Sequence, residues 1–439
     1  MAKLFYIALE FAPVQTTGSF RSVSFVDHLT QMGHDITVAS IDIEQGERIF
    51  GRKANPDYAP DLLANLTTLR LNDADGAAKT GKWNSFLRVY GDFTDTFYRR
   101  FRASLHEQIA SLPNRHFDAV VVSLPPFGAG ELGIEAASAL NAPLIVDMRD
   151  GWAEWEVAPR PTYLHYKALV RQERRVFERA DAVIATTEHM ANLFRSSHPH
   201  LKAEKFHFIP NGFDGDSIEA DETISVVPGQ TVSLAHVGSY YYNPTRPRTW
   251  GKPHSLVQHT TGQEDWFYRT PNFLLQGWRK LADAYPDVAA RLKFHQIGTS
   301  PPWLKPMFAD FELQVALVEH GQMPKQDVMP LLETMDWTFS ISLKRKGSGD
   351  YFLASKTFDY IAARKPILSV CPAGSQKEFV QNTGLAIHAD PDDPDAVAEA
   401  LRSMVQESHT FTLNSTFING YRRIESAHRL DALIGKITG

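Results

Sequence analysis

A serine, a lysine and an aspartate occur at a spacing that could bind a phosphorylated ligand. Ser355 and Lys356 stand where the sequence predicts the start of a helix, and Asp359 follows one helical turn after Ser355. A helix start presents unpaired N–H groups and a positive dipole end, which attract phosphate. A carboxylate one turn later could accept hydrogen bonds from both hydroxyls of a ribose. An ordinary capped helix with a solvated lysine explains the same residues equally well, so both interpretations stay open.

The segments around these residues alternate between strand and helix. Residues 4–9 form a short apolar run, residues 20–32 have helical spacing, and residues 36–39 form another apolar run. A strand, a glycine loop, a helix and a strand make a βαβ unit. The alternation restarts at residues 232–237. Ligands in such sheets bind at the carboxyl ends of the strands, so the loops that follow the strands are the places to search for a site.

The length of the chain predicts two domains. Single hydrophobic cores stop growing at about 250–300 residues, and the chain has 439. Residues 215–230 are acidic and poor in large apolar side chains, as a connector would be. We therefore predict an α/β protein with a first Rossmann-like domain at 1–214, a second at 215–416, and a helix at 417–439 that returns to the first domain.

Composition and charge exclude several classes of protein. The chain has 45 basic and 51 acidic residues, a formal net charge of −6, whereas a general nucleic-acid binder is basic. Its one cysteine, Cys371, excludes an intrachain disulfide. The apolar N-terminal run of about five residues is shorter than a signal peptide requires, and no run approaches a membrane span of about 20 residues. We expect a cytoplasmic protein. The histidines lack metal-binding spacing, so we expect no metal.

Beyond these physical signals, residues 355–368 resemble the donor-site helix of glycosyltransferase family 4. They read Ser-Lys-Thr-Phe-Asp-Tyr-Ile-Ala-Ala-Arg-Lys-Pro-Ile-Leu, and the family pattern runs Ser-Lys, apolar, Glu-Tyr, apolar, Ala, small, Gly, Lys-Pro. The likeness covers most of the chain. It also includes the segments 143–152, 180–185, 209–214 and 321–336, in the family's order.

This resemblance implies the GT-B architecture, in which two doubly wound Rossmann-like domains face a central cleft. It implies transfer of a sugar from a nucleotide-diphosphate sugar to a glycan or lipid-linked acceptor, with retained anomeric configuration and without a metal or other cofactor. Synthesis of cell-surface polysaccharide or a related glycan would be the setting. An inverting transferase, a nucleotide-sugar epimerase and a non-catalytic nucleotide-sugar-binding subunit remain alternatives on the same fold.

The resemblance also assigns roles to residues of the donor site. Asp359 would bind the ribose, and Ser355, Lys356 and Thr357 would face the diphosphate. Gly18, in the first loop, would let the first domain approach the donor closely. The backbone of the second domain would frame the base at Gly238, Gly298, Gly321 and Met323.

Several positions depart from the family pattern. Tyr351 stands where the family has a glutamate that contacts the sugar, and Asp350, one residue earlier, is the candidate substitute. Ser123 stands where a histidine is common. Gly238 is followed by a long insertion instead of an arginine that grips the diphosphate. Candidate replacements for that cation are Arg246, Arg248, Lys252, Lys344 and Arg345.

A second candidate site follows the strand at residues 144–147. Arg149 and Asp150 could bind the acceptor, and Asp150 could act as the base of an inverting enzyme. Alternatively, an ion pair braces this loop and Trp152 belongs to the core. Asp150 and Asp350 are therefore the candidate catalytic carboxylates, and Arg149 and Trp152 the candidate acceptor contacts.

Two further segments combine aromatic and basic residues. Residues 82–105 could form an amphipathic helix that lies on an anionic inner membrane surface, or a packed helix with a solvated basic face. Residues 240–269 form an insertion too long for a simple connection. It could close over the donor, shape the acceptor site, or run over the surface.

Overall fold

The computed structural model describes residues 1–73, 96–156, 160, 162–242 and 258–439. These residues belong to two compact units. Unit 1 comprises Met1–Asn211, Pro253–Thr260 and Arg423–Gly439, and unit 2 comprises Gly212–Lys252 and Thr261–Arg422. The boundaries that we place from the sequence, after residues 214 and 416, lie a few residues from these.

Unit 1 is built on a seven-stranded parallel sheet with the order β3-β2-β1-β4-β5-β6-β7. Every residue of its central strand β4 is buried, because helices cover both faces of a parallel sheet. The strands are β1 (Lys3–Ile7), β2 (Asp35–Ile41), β3 (Thr67–Leu71), β4 (Ala119–Leu124), β5 (Leu144–Met148), β6 (Ala182–Ala185) and β7 (Phe206–Phe208). The helices are α1 (Ser19–Gln31), α2 (Ile43–Phe50), α3 (Pro60–Asn65), α4 (Thr96–Ser111), α5 (Ala129–Leu140), α6 (Tyr163–Arg179), α7 (Glu188–Ser197) and a 3-10 helix at Ala203–Lys205.

Helix α4 contains the described part of the aromatic and basic segment. Phe101 and Leu105 are fully buried, and Arg100 and Arg102 form ion pairs with acidic neighbours at 2.7 and 2.8 Å. This part of the segment packs into unit 1 through its apolar residues. Residues 82–95 lie outside the described part of the chain, and contact with a membrane stays a prediction.

Unit 2 is built on a six-stranded parallel sheet with the order β12-β11-β9-β13-β15-β16, flanked by the antiparallel pairs β8–β17 and β10–β14. Its strands are β8 (Thr223–Val226), β9 (Val232–Val237), β10 (Glu264–Asp265), β11 (Leu292–Ile297), β12 (Leu317–Gly321), β13 (Trp337–Ile341), β14 (Lys344–Arg345), β15 (Ile367–Val370), β16 (Ala386–His388) and β17 (His409–Thr412). Its helices are α8 (Asn272–Ala284), α9 (Pro286–Ala289), α10 (Leu304–Asp310), α11 (Lys325–Glu333), α12 (Lys356–Ala362), α13 (Ser375–Asn382), α14 (Pro394–Gln406) and α15 (Ser415–Asn419), with 3-10 helices at Trp266–Arg269 and Gln314–Ala316.

The last helix, α16 (Arg423–Thr438), returns to unit 1. Ala427 and Leu430 are fully buried among side chains of α1 and β1. The hydroxyl of Ser426 donates to the carbonyl oxygen of Pro210 at 3.0 Å. The α/β class and the two doubly wound sheets predicted from the sequence are therefore confirmed.

Local sequence signals place several helix ends. The Asp393 carboxylate accepts hydrogen bonds from the amides of Asp395 and Ala396, both at 3.1 Å. Pro394 follows at the first helical position of α14. A capping aspartate followed by a proline is a sequence signal typical of a helix start.

Both sheets have a switch point at their first strand. In unit 1, β1 lies between β2 and β4, and in unit 2, β9 lies between β11 and β13. Successive crossovers leave such a strand in opposite directions, which opens a crevice at its carboxyl end. The loops after β1 and β4, and those after β9 and β13, are therefore where ligands are expected.

Candidate functional site

Two glycines bring the carboxyl ends of β9 and β11 together in unit 2. Gly238 follows β9, and its amide donates to the carbonyl oxygen of Ile297 at 2.7 Å. Gly298 follows β11 with a φ of +122°, and a Cβ there would lie 2.8 Å from the carbonyl oxygen of Gly238. Only glycine permits this approach. The Gly298 amide in turn donates to the carbonyl oxygen of Gly321 at 2.9 Å, so three glycines predicted from the sequence meet at this edge.

A chain of hydrogen bonds leads from Gly238 to Lys356. The amide nitrogen of the Gln296 side chain donates to the carbonyl oxygen of Gly238 at 2.6 Å. The side-chain oxygen of Gln296 therefore faces His236 and accepts from its Nδ1 at 2.9 Å. With its proton on Nδ1, His236 has a lone pair on Nε2, which accepts a hydrogen bond from Nζ of Lys356.

His236 is held in its neutral form. It is fully buried, and the ring of Tyr240 stacks on the imidazole at 4.5 Å between centroids. Burial, and then the charge of Lys356, lower the pKa of His236 well below its usual value. The neutral imidazole is the form that can accept from Lys356, so the protonation state and the geometry agree.

Arg269 supplies a second cationic group to this site. It ends the 3-10 helix Trp266–Arg269, and its guanidinium lies 4.8 Å from the ring centre of Tyr241. Burial, and then the charge of Arg269, lower the pKa of the Lys356 ammonium well below its usual value. Two positive groups that repel each other in a half-buried place are stabilised by an anion, and a phosphate group carries the required charge.

A buried carboxylate lies beside the same cation. Asp350 is fully buried, and its Oδ1 accepts from the amide of Phe352 at 3.1 Å. Burial raises its pKa to about 7, while the charge of Arg269 is among the effects that lower it. The backbone is fixed because the Asp350 amide donates to Ala373 at 3.0 Å, and Gly374, with a φ of +139°, packs against it. Asp350 is therefore a buried group of unit 2 on which the charge of Arg269 acts, and its catalytic role stays a prediction.

The start of α12 differs from the prediction. Ser355 makes no capping hydrogen bond, because its backbone is already helical (φ −57°, ψ −32°) and its side chain is exposed. The amides of Thr357 and Phe358 already donate to carbonyl groups of the same turn. Thr357 is buried, and its hydroxyl accepts from Gln376 at 2.8 Å. The side chain of Thr357 thus belongs to the core. The expected contact of Lys356 with a diphosphate stays a prediction.

Asp359 occupies the second turn of α12. It is half-buried, one turn after the exposed Ser355, and its charge adds to the effect of burial in raising the pKa of Tyr360. The structure therefore places Asp359 on the same short helix as Lys356, at the spacing used in the sequence argument. Its contact with a ribose stays a prediction.

The candidate cations after β13 are engaged elsewhere. Lys344 forms an ion pair with Asp392 and donates to the hydroxyl of Tyr268 at 3.1 Å. The hydrogen bond to Asp392 is the main cause that raises the pKa of Lys344. Arg345 lies 5.4 Å from the ring centre of Tyr351. Because β14 pairs with β10, these side chains also brace the loop, and their contact with a diphosphate stays a prediction.

Tyr351 belongs to the same braced network. It is buried, and its hydroxyl donates to Glu264 at 2.7 Å.

Met323, expected near the base, is half-buried and packs on the core of unit 2. Arg246, Arg248 and Lys252 lie outside the described residues.

In unit 1, an ion pair occupies the loops at the switch point. Arg149, after β5, lies 3.0 Å from Glu10, after β1, and also donates to the carbonyl oxygen of Pro125. A Cβ on Gly18 would collide with the Arg149 guanidinium. Gly18 is therefore required by the packing of this ion pair, and its role in approaching the donor stays a prediction.

A hydrogen bond to the buried side chain of Glu173 fixes the loop that follows Arg149. Trp152 is fully buried and stacks on Phe127 at 4.9 Å, so its side chain is a core group rather than the exposed acceptor contact considered above. The Glu173 carboxylate accepts from the amide of Ala153 at 2.7 Å, and burial raises its pKa to about 8. Asp150 is half-buried in this loop, and its role as a base stays a prediction.

Three residues of the unit 2 site escaped the sequence argument. His236 and Gln296 each stand two residues before the glycine that follows their strand. A polar residue at that place in a buried strand is a signal that could have found them. Arg269 lies in the aromatic and basic insertion at residues 240–269, which the sequence does single out, although only the structure distinguishes Arg269 from the other cations there.

None of the described helices combines the length and apolar character needed to cross a lipid bilayer. In the same part of the chain, no three histidine, cysteine or acidic side chains are grouped so that they could hold a metal ion.

Comparison with known proteins shows the fold. The chain has the fold of HepE from Anabaena, solved with UDP and glucose (TM-score 0.52, 11% identity, 100% of this chain and 97% of that chain). It also matches the lipopolysaccharide outer core galactosyltransferase WaaB (0.54, 12%, 99% and 99%) and a trehalose 6-phosphate synthase from Burkholderia multivorans (0.56, 12%, 100% and 99%). No curated protein matches the sequence.

The fold is the GT-B architecture of these solved structures, and one family model matches part of the chain. Residues 21–212 match the glycosyl transferase 4-like domain. Unit 1 therefore carries a glycosyl transferase 4-like domain, as the resemblance at residues 143–152, 180–185 and 209–214 implies.

Proposed function

We propose that the protein transfers a sugar from a nucleotide-diphosphate sugar, and that Lys356 and Arg269 bind the donor diphosphate. The observation that carries this proposal is the position of the Lys356 amine, which donates to Nε2 of His236 near the end of β9 at the switch point of unit 2. Burial, and then the charge of Arg269, lower the pKa of the same amine. HepE, which has the same fold, was solved with UDP-glucose. UDP and UDP-glucose are therefore the first ligands to test.

The proposed chemistry follows from the charges. When the bond between the sugar and the diphosphate breaks, negative charge develops on the departing nucleotide. Lys356 and Arg269 stabilise that charge, in a half-buried site where electrostatic interactions are stronger than in water. Asp359 binds the ribose, and the backbone at Gly238, Gly298 and Gly321 frames the base.

We further propose that the reaction retains the anomeric configuration. In that mechanism stabilisation of the leaving group dominates and no dedicated protein base is needed, so Asp150 serves to position its loop. The acceptor is a glycan or a lipid-linked glycan, and the loops after β1, β4 and β5 in unit 1 are where it binds. A cytoplasmic location with peripheral contact at the inner face of the membrane agrees with this acceptor.

The test is donor consumption by the purified protein. A panel of nucleotide sugars is incubated with glycan acceptors, nucleoside diphosphate release is measured, and the anomeric configuration of the product is determined by NMR. We expect release with one nucleotide sugar and a product of retained configuration. An inverted product would overturn the retaining mechanism, epimerised donor would point to an epimerase, and binding without turnover would point to a non-catalytic subunit.

The residue assignment is tested with Lys356→Met, which keeps the apolar stem of the side chain. The matched control is Lys280→Met, since Lys280 pairs with Asp395 on the exposed face of α8. We expect only the Lys356 variant to lose turnover. Equal loss in both variants would contradict the assignment.

A further inference from the structure

We infer that His236 and Gln296 are positioning residues of the donor site: Gln296 fixes the tautomer of His236, and His236 holds the amine of Lys356 in place for the diphosphate. This inference rests on the proposed function. Neither residue is expected to touch the donor, since His236 is fully buried and acts through Lys356, and Gln296 is fully buried and acts through His236.

The orientation of Gln296 is determined by its two partners. The carbonyl oxygen of Gly238 can only accept, so the group 2.6 Å from it must be the amide NH₂ of Gln296. Turning the amide round would bring two acceptors together at that distance. The side-chain oxygen of Gln296 must then face His236 Nδ1 at 2.9 Å, and Nδ1 must carry the proton.

The remaining ring nitrogen is therefore a lone-pair acceptor. An N–H of Lys356 can donate to Nε2 of His236 only while that nitrogen is unprotonated. A second proton on the imidazole, carried by Nε2, would point that N–H at the N–H groups of Lys356, so that two hydrogen-bond donors would face each other. The pairing thus depends on the neutral imidazole, and Gln296, a neutral group, supports that form where a carboxylate would not.

The groups around His236 favour the same state. The charged groups that face it are Lys356 and Arg269, and both lower its pKa. Tyr240 stacks on one face of the ring at 4.5 Å, and Phe339 lies 6.3 Å away. Gln296 occupies the place where a carboxylate would most easily stabilise the imidazolium, so it sets the pH range over which Lys356 stays in position.

The function of this arrangement is to limit the motion of Lys356. A lysine side chain loses conformational entropy when it is fixed in one position. An amine already held by His236 has lost part of that freedom before the donor binds. The donor diphosphate then meets a preorganised cation.

The decisive variant is Gln296→Glu. A carboxylate beside Nδ1 stabilises the imidazolium and raises the pKa of His236. Because the same carboxylate replaces the NH₂ group that donates to Gly238, the change of affinity with pH is the readout, and the affinity at pH 8 alone is not. Binding of UDP-glucose is measured by calorimetry from pH 8 to pH 6, a range in which both phosphates of this ligand keep a constant charge. We expect the affinity of Gln296→Glu to fall about tenfold on acidification, as loss of one hydrogen bond to a charged group implies. Wild type and the control His295→Gln are expected to lose no affinity on acidification, because proton uptake by Lys356 can only strengthen binding as the pH falls.

A second pair of variants separates positioning from folding. His236→Gln offers a side-chain oxygen that can accept from Lys356, whereas His236→Leu offers none. We expect His236→Gln to retain the affinity for UDP-glucose within about threefold and His236→Leu to lose about tenfold. Equal loss in the two variants would mean that His236 has only a packing role, and would overturn the inference.

A measurement without ligand distinguishes this inference from the proposed function. Long-range proton–nitrogen spectra of protein labelled with ¹⁵N-histidine, with His236 assigned by its absence in His236→Gln, report the tautomer directly. We expect the proton on Nδ1 and none on Nε2 from pH 8 to pH 6. A proton on Nε2 would overturn the inference, whatever the ligand does. If the tautomer is as described but wild type binds neither UDP-glucose nor inorganic pyrophosphate, then the proposed function fails and the positioning role fails with it.

Discussion

The carbonyl oxygen of Gly238 lies so close to Gly298 that a Cβ on Gly298 would be only 2.8 Å from that oxygen. This contact joins the ends of β9 and β11 and presents the Gly238 carbonyl to Gln296. The backbones of these two glycines therefore help to position the groups around Lys356, although neither residue has a side chain that could take part in the chemistry.

The first prediction concerns Gly298→Ala. The substitution introduces both a clash with Gly238 and a side chain at a φ of +122°, a combination that costs on the order of 1–3 kcal/mol or more. We expect a lower Tm and weaker binding of UDP, measured by thermal unfolding and calorimetry. The control is Gly215→Ala, because Gly215 has a comparable φ of +135° with nothing within 4 Å of its Cβ position. If both variants behaved alike, the close contact would not matter.

The second prediction is that donor binding takes up a proton. The pKa of Lys356 is lowered in the free protein by burial and by Arg269, and a bound diphosphate raises it again by supplying negative charge. At a pH between these two values, Lys356 gains a proton when UDP-glucose binds. Calorimetry in buffers of different ionisation enthalpy measures this uptake. We expect it in wild type and not in Lys356→Met, and an identical uptake in the two proteins would count against Lys356 as the source.

The third prediction separates ribose binding from phosphate binding. Asp359→Ala removes the proposed ribose contact and leaves the cations, so we expect weaker binding of UDP but unchanged binding of inorganic pyrophosphate. Asp359→Glu, which has the family's residue, is expected to retain UDP binding. Lys356→Met is expected to weaken both ligands. Unchanged UDP affinity in Asp359→Ala would show that this carboxylate does not bind the ribose.

The fourth prediction concerns the pH dependence of stability through Glu173. Burial raises its pKa in the folded protein to about 8, above an unfolded value of about 4.3. As the pH rises between these values, the unfolded chain loses the proton and the folded protein keeps it. The stability contributed by Glu173 is therefore present at low pH and is lost as the pH rises towards 8.

Glu173→Gln should remove this dependence. Relative to wild type, the variant should gain about 1.4 kcal/mol per pH unit across that window, seen as a Tm difference that moves in its favour between pH 5 and pH 7.5. Glu178→Gln, an exposed site on the same helix, should show no such trend. A constant difference between wild type and Glu173→Gln would show that Glu173 is ionised in the folded protein.

The sequence is sufficient to predict the two parallel sheets, because buried strands such as β4 and capped helices such as α14 leave local signals. It also predicts that Lys356, Asp359, Gly238 and Gly298 belong to one site. It does not predict which second cation we propose for the diphosphate beside Lys356, because Arg269, Lys344 and Arg345 all carry a positive charge. Only the tertiary pairing of β10 with β14 and the ion pair of Lys344 with Asp392 distinguish them.

The central claim is that Lys356 binds the diphosphate of a nucleotide sugar. The most direct test is calorimetric titration of wild type, Lys356→Met and Lys280→Met with UDP-glucose at one pH and low salt. We expect binding by wild type and Lys280→Met and an affinity at least about tenfold lower for Lys356→Met, as loss of one charge-assisted contact requires. Equal affinity in the three proteins would contradict it.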